Sequence, residues 1–579
     1  MSRTHWLTGL TCCLLLVGSA DLRAETTPDP LRLVPAQADI AIQLERPRAL
    51  AETTLALDLV KQLQAFEPIR EFYDSTNFRR FQQLLGYFEK ELGAKWPDLL
   101  DRLAGGGIVL AAKFGEEPAP ALLVMQSKDE AALKQFVKLV RGLLDQELPR
   151  DDAKQRLEVS SYQTIETLRI GQDFHAAVAG SALLLANRQK ALHAALDCHL
   201  ANGKQSLAGV EKINTARRQL PAERYGWLWL DLEHLRELPG YKQALAGDAT
   251  DPLQLILFGG WLDLIRHAPY VTAALTPEGA GLSLSVRSPR GQAEMPAALS
   301  AMHLPAARDG SLPLLEPKGV LFSTSYVLDL AQFWEQRAKL LNAKQVQDLE
   351  EGEKQAAKVL AGIKLGKILS QAGPHQRFVA VHQPKAGYQT QPGTNIPAIA
   401  FVQSMRDPYG FARSLETIIR AGVLASRGQT GLKLAEEKHG DLKLVGFRFP
   451  EDKPYEGDTN NLRFNFSPCF VAVGDQFVMA STIELGRELI GVLQQEAKAP
   501  APRSPAASRL RFYAAGGADY LQSIEEQLLA ATILDQALAP KEAQEQVRKL
   551  IDLVRRAGAL SLDNTYEAKQ FRFDIKYAK

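Results

Sequence analysis

The stretch FVAVGDQFVMASTIELGRELIGVL at 470–493 restates HAAVAGSALLLANRQKALHAAL at 175–196, with Gly180 falling on Gly474, Leu184 on Val478 and Leu196 on Ile490. The match extends. PAPALLVMQSKDEAALKQFVKLV (118–140) meets IPAIAFVQSMRDPYGFARSLETII (396–419), with Asp129 on Asp407, and RYGWLWLDLEHL (224–235) meets RLRFYAAGGADY (509–520). LSLSV (282–286) meets FRFDI (571–575), and the opening strands ADIAIQLERPRAL (38–50) and GVLFSTSYVLDLA (319–331) complete five blocks in common order. Strands draw on few residue types, so one match carries little. Five in order, at offsets of about 280 to 290 residues, imply duplication of a domain-sized unit, because a solenoid repeats every 20 to 50 residues or so.

Each block has a readable local structure. Gly180 with Ser181, and Gly474 with Asp475, separate paired apolar runs and predict tight β-hairpin turns. A helix follows each hairpin, its apolar positions in the second copy being Ile483, Leu485, Leu489, Ile490 and Leu493. Asp129 and Asp407 precede further apolar stripes as N-caps would. Longer helical stretches carry Phe78, Phe81, Leu85, Phe88 and Leu92 in the first copy, and Trp334, Leu340, Leu341, Val346, Leu349 and Leu360 in the second. The expected fold class is α+β: two tandem homologous copies of an antiparallel sheet with helices packed on one face. The expected division is a signal peptide over 1–24, a first copy over 25–290, a Pro- and Ala-rich linker over 291–313 and a second copy over 314–579. HQPKAGYQTQPGTNIP (382–397), FPEDKPYEGDTNN (449–461) and AKAPAPRSPAA (497–507) read as surface insertions of the second copy.

The N-terminus sets an expected address. Arg3 and His5 precede an apolar run from Trp6 to Val17 and small residues at Gly18, Ser19 and Ala20, the layout of a secretory signal peptide, with cleavage after Ala20 or Ala24. The run is too short for the roughly 20 residues that cross a bilayer. We therefore expect export to the periplasm or beyond, with no membrane span after signal removal. Beyond Cys12 and Cys13 in that run, only Cys198 and Cys469 remain, and two buried thiols are expected in place of a disulfide framework. With 68 basic against 67 acidic side chains the chain offers no field to attract a polyanion, which excludes nucleic-acid binding as an expectation.

A search for reactive constellations yields no catalytic, cofactor-binding or metal-binding set. H-E-x-x-H, G-x-S-x-G, the phosphate-cradling loop and a helix-opening G-x-G-x-x-G do not occur. The glycines of AGGGIVLAAK (104–113) lead into a strand and read as a turn. His193, Cys198 and His199 lie close in sequence, but on a helix residues 193 and 199 stand about 120° apart. His375 and His382 read as exposed strand-end histidines. Neighbouring acids such as Asp151 with Asp152, Glu350 with Glu351 and Glu436 with Glu437 read as solvated faces, since adjacent side chains point apart. The one candidate binding feature is aromatic. Tyr225, Trp227 and Trp229 share a strand face and could form a stacking platform for sugars or peptides, although Leu228 and Leu230 on the other face favour a buried central strand.

The Pro-Ala-x-Asp opening PAQAD (35–39), the small-Gly segment LAGGGIVLAAK and the Gly-turn hairpin followed by a helix resemble an uncharacterised family of secreted bacterial proteins, known as a domain of unknown function. The second copy departs from that pattern, with EPKG (316–319) at its opening. The resemblance implies no activity or cofactor. The expected function is a non-catalytic secreted or periplasmic protein that binds a partner protein or an apolar ligand between helices and sheet; the alternative is an envelope hydrolase whose site is dispersed in sequence.

Overall fold

The structure, a computed structural model, describes residues 27–63, 67–151, 156–245, 251–303, 310–383, 387–453, 455, 457–500 and 503–578. The signal-peptide reading of 1–24 lies outside the described residues, as do Cys12, Cys13, Asp152 and parts of the linker and insertions. Backbone contacts divide the chain into two units, Met1–Ala246 with Ala268–Ser288, and Gly247–His267 with Pro289–Lys579.

In the first unit the strands are β1 (Ile40–Leu44), β2 (Gly107–Ala112), β3 (Ala121–Gln126), β4 (Leu157–Tyr162), β5 (Ile165–Ile170), β6 (Phe174–Ala179), β7 (Ala182–Ala186), β8 (Gly226–Asp231), β9 (Tyr270–Glu278) and β10 (Gly281–Ser288). They pair antiparallel in the order β10-β9-β8-β1-β2-β3-β7-β6-β5-β4. Gly180 turns the β6–β7 hairpin with φ 61°, a left-handed conformation that costs glycine nothing. Helices α1 (Thr76–Leu92), α2 (Trp96–Ala104) and α3 (Glu130–Asp151) lie on one face, and α4 (Gln189–Leu200) and α5 (Glu211–Arg218) on the other. Asp129 caps α3 by accepting from the Ala132 amide at 2.9 Å.

Helices on both faces correct the expected one-sided packing. The cause is visible in ALLLA: Leu184 joins the core with Leu192 and Leu196 of α4, while Leu183 packs with Leu133 of α3. Strands apolar at successive positions need cover on both sides.

The second unit holds β11 (Val320–Val327), β12 (Ala372–Val381), β13 (Ala398–Met405), β14 (Lys433–His439), β15 (Leu442–Arg448), β16 (Cys469–Val473), β17 (Gln476–Ala480), β18 (Ser508–Tyr513), β19 (Ala559–Tyr566) and β20 (Phe571–Ala578). Their antiparallel order is β20-β19-β18-β11-β12-β13-β17-β16-β15-β14. Two helices of this unit precede β11: α6 (Pro252–His267), which follows β8 in sequence, and α7 (Ala297–His303), inside the expected linker. α6 sets Trp261 edge-on against Phe571 and Phe573, with ring centroids 4.7 and 5.1 Å apart. α7 buries Leu299 and Met302 with Phe333 of α8 (Leu330–Leu340). Pro296 just before α7 suits a helix start, so a stretch rich in Pro and Ala is here a structured element.

α9 (Pro408–Thr430) and α10 (Ile483–Lys498) cover opposite faces of the second sheet. Leu485, Leu489 and Ile490 of α10 are fully buried, each contributing about 1.5–3 kcal/mol of transfer free energy. The segment read as an insertion over 382–397 is not merely superficial: Tyr388 is buried against Phe464, and its hydroxyl donates to the Phe466 carbonyl at 2.8 Å.

Candidate apolar binding site

The face of the second sheet beneath α9 is built from alternating strand residues: Phe378 of β12, Phe401 of β13, Phe447 of β15, Phe470 of β16 and Met479 of β17. α9 is fixed at its start. Asp407 accepts from the Gly410 amide at 3.0 Å, and Phe411 is buried edge-on against Phe477. Further along, Ile419 and Val423 are only partly buried, and between them and the strands lies a cavity of about 360 Å³.

Its polar members are already satisfied. Ser481 Oγ accepts from the Ile399 amide at 2.9 Å, and Cys469 Sγ donates to the Thr482 carbonyl at 3.3 Å, packed toward Gly486 of α10. Burial pushes the Cys469 thiol up to about 12, which keeps it protonated and unreactive. No other lining residue titrates.

The cavity opens onto a bare part of the same sheet face. Cross-strand register sets Leu560, Phe512, Phe322, Ala380 and Ile399 in one row over five strands, about 19 Å at the usual strand spacing. Ile399 is 44% exposed and Phe512 46%, a large apolar exposure for the middle of a sheet.

The sequence-predicted aromatic set lies elsewhere, in the first unit. Tyr225, Trp227 and Trp229 are at most 6% exposed. Tyr225 Oη pairs with Thr53 Oγ1 at 2.6 Å, and Trp227 Nε1 donates to Gln43 Oε1 at 3.1 Å. β8 runs between β1 and β9, so these rings are core and offer no open stacking surface. His193 stacks on Tyr162 at 3.9 Å, whereas Cys198 donates to the Gln205 carbonyl at 3.6 Å. Both Cys198 and Cys469 are free and buried, as two separate thiols. His375 corrects its reading as exposed: β12 runs between β11 and β13, and the residue is 7% exposed. Glu436 pairs with Arg420 and Lys443, and Glu437 with Arg487; these partners hold both carboxyls below the usual range. Among the described residues no group of three or more His, Cys, Asp or Glu could hold a metal, and no helix is long and apolar enough to cross a membrane.

Sequence reasoning passed over Ile399, Ile419 and Val423. The signal was present in α9, whose apolar stripe continues to Val423 beyond the part that Phe411 and Leu415 bury.

Two solved structures resemble the chain at low identity. Crystal form I of TP0453 is 10% identical over 47% of this chain and 83% of that one, with a TM-score of 0.23. Crystal form III is 8% identical over 48% and 85%, with a TM-score of 0.24. No curated protein matches the chain. The pattern of an uncharacterised family, the protein of unknown function DUF3352, matches residues 108–355, and on that match the chain resembles this family.

Proposed function

We propose that this is an exported, non-catalytic protein made of two copies of one α+β unit, and that it binds an apolar ligand between α9 and the sheet of the second unit. The observation that carries the binding reading is the cavity beneath α9. Its size falls within the range of small-molecule sites, its walls are apolar, and its one titratable lining residue is held inert. Duplication is supported by strand order: adding ten to each strand number of the first sheet reproduces the second. Export rests on the N-terminal sequence pattern alone.

Titration with an uncharged fluorescent naphthylamine probe tests the site. The wild-type protein should bind it with a Kd of about 1–10 μM, roughly −7 to −8 kcal/mol. Ile399→Trp and Val423→Trp replace partly exposed wall residues and fill the cavity without disturbing the buried core, so affinity should fall at least about tenfold at unchanged melting temperature. Undiminished binding by both variants would place the probe elsewhere and remove the reading.

A further inference from the structure

The first unit contains a different cavity, of about 270 Å³, between the start of α4, the end of β2 and the start of β3. Small and apolar residues make its wall: Ala38, Ala111, Leu122, Ala191 and Ala194. Its mouth is charged. Lys190 is ion-paired with Glu116, and Lys113 also lies near Glu116, so the lining carries two cations against one acid, while Arg188, outside it, pairs with Asp173 at 3.8 Å. The loop carrying Lys113 and Glu116 is pinned, because Asp39 Oδ2 accepts from the Phe114 amide at 2.7 Å and Asn187 holds both the Ala121 amide and the Ala119 carbonyl at 2.8 Å.

Among the described residues of the second unit, bulkier side chains stand at the corresponding positions. Following the strand register and the hairpin alignment, Ala111 corresponds to Val379, Ala191 to Leu485 and Ala194 to Glu488. Val379 and Leu485 are fully buried, and Glu488 accepts from the Lys318 amide, the counterpart of Gln37 on the first cavity's wall. Lys190 itself corresponds to Glu484, which reverses the sign of the charge at the mouth. The first unit therefore keeps open, and lines with cations, a place that the second fills.

We propose that this cavity of the first unit binds a medium-chain aliphatic anion, its chain against the alanine wall and its carboxylate or phosphate head at Lys113 and Lys190. The volume sets the chain length. A 150 Å³ cavity accommodates benzene, with six heavy atoms, so 270 Å³ suits about eleven, close to octanoate. The excess of cations selects the head, since an ammonium there adds a like charge while an anion relieves one. The proposal is independent of the cavity under α9.

Calorimetric titration of the full chain with octanoate, octyl phosphate, octanol and octylamine tests it. Octanoate or octyl phosphate should bind at least about tenfold more tightly than octylamine, with octanol between them. Lys113→Gln with Lys190→Gln, both exposed side chains, should weaken anion binding about tenfold and change octanol affinity less than about twofold. Ala191→Leu with Ala194→Glu, which installs the second unit's residues, should abolish binding of all four at unchanged melting temperature. Equal binding of octylamine and octanoate overturns the charge selection. Octanoate binding that survives both double variants places the ligand outside this cavity and overturns the proposal.

Discussion

His303 shows what a single buried side chain imposes on the whole second unit. Its imidazole is packed beside Gly259 and faces the Leu255 carbonyl 3.4 Å away, and burial pushes its pKa from 6.5 down to about 4. The folded protein thus keeps this ring neutral, whereas the unfolded chain protonates it below about pH 6.5. Stability contributed in this way is complete above that pH and is lost as pH falls toward 4, on the order of 3 kcal/mol in all. Denaturant unfolding at pH 7.5 and pH 4.5 should show that loss, and His303→Gln should flatten it; an equal slope in the variant rules the ring out as its source. Arg377 poses the opposite case, a charge at 1% exposure kept in place by Glu496 at 2.6 Å and by the Pro313 carbonyl at 3.3 Å. Neither residue stood out in the sequence. Histidine and arginine are usually exposed, and only the surrounding fold makes these two interior.

At the scale of elements, α6 joins the second unit through a glycine. A Cβ on Gly260 would fall 2.2 Å from Tyr566 Oη and 2.9 Å from its Cζ, so the helix can approach β19 only because that carbon is missing. Gly260→Ala should cost about 1–3 kcal/mol by overpacking, although alanine favours helices, and Tyr566→Phe in the same chain should return part of it. A double-mutant cycle in urea measures both, and additive effects would show that the two residues do not meet. The hairpins at Gly180 and Gly474, the caps at Asp129 and Asp407 and the α+β class were legible because each depends on neighbours in sequence. Two-sided packing was not, because a run such as FVMA gives no sign of which helices will return to cover it. Register was also lost. The sequence match of 224–235 with 509–520 sets Trp227 on Phe512, but Leu230 pairs with Ile40 as Phe512 pairs with Phe322, so Leu230 is the counterpart of Phe512. Strands built from the same few residue types slide past one another at little cost to the match, and an odd slip exchanges the two faces. The apolar cavity was hidden for a related reason, since its walls come from β12, β13, β15, β16, β17 and α9 together.

At the scale of the whole chain, two sheets of like order each carry helices on both faces, yet the units are not consecutive in sequence. The chain completes β8, lends 247–267 to the second unit and returns to the first at Ala268. No single scissile bond therefore yields two self-sufficient halves. A fragment ending at residue 290 would carry α6 with Trp261 stripped of its aromatic neighbours, while one starting at 291 would leave Phe571 and Phe573 uncapped. Produced separately, both pieces should aggregate or melt without cooperativity in light scattering and calorimetry; produced together, they should reassemble into a nicked, soluble heterodimer, with α6 as the latch that makes each piece require the other.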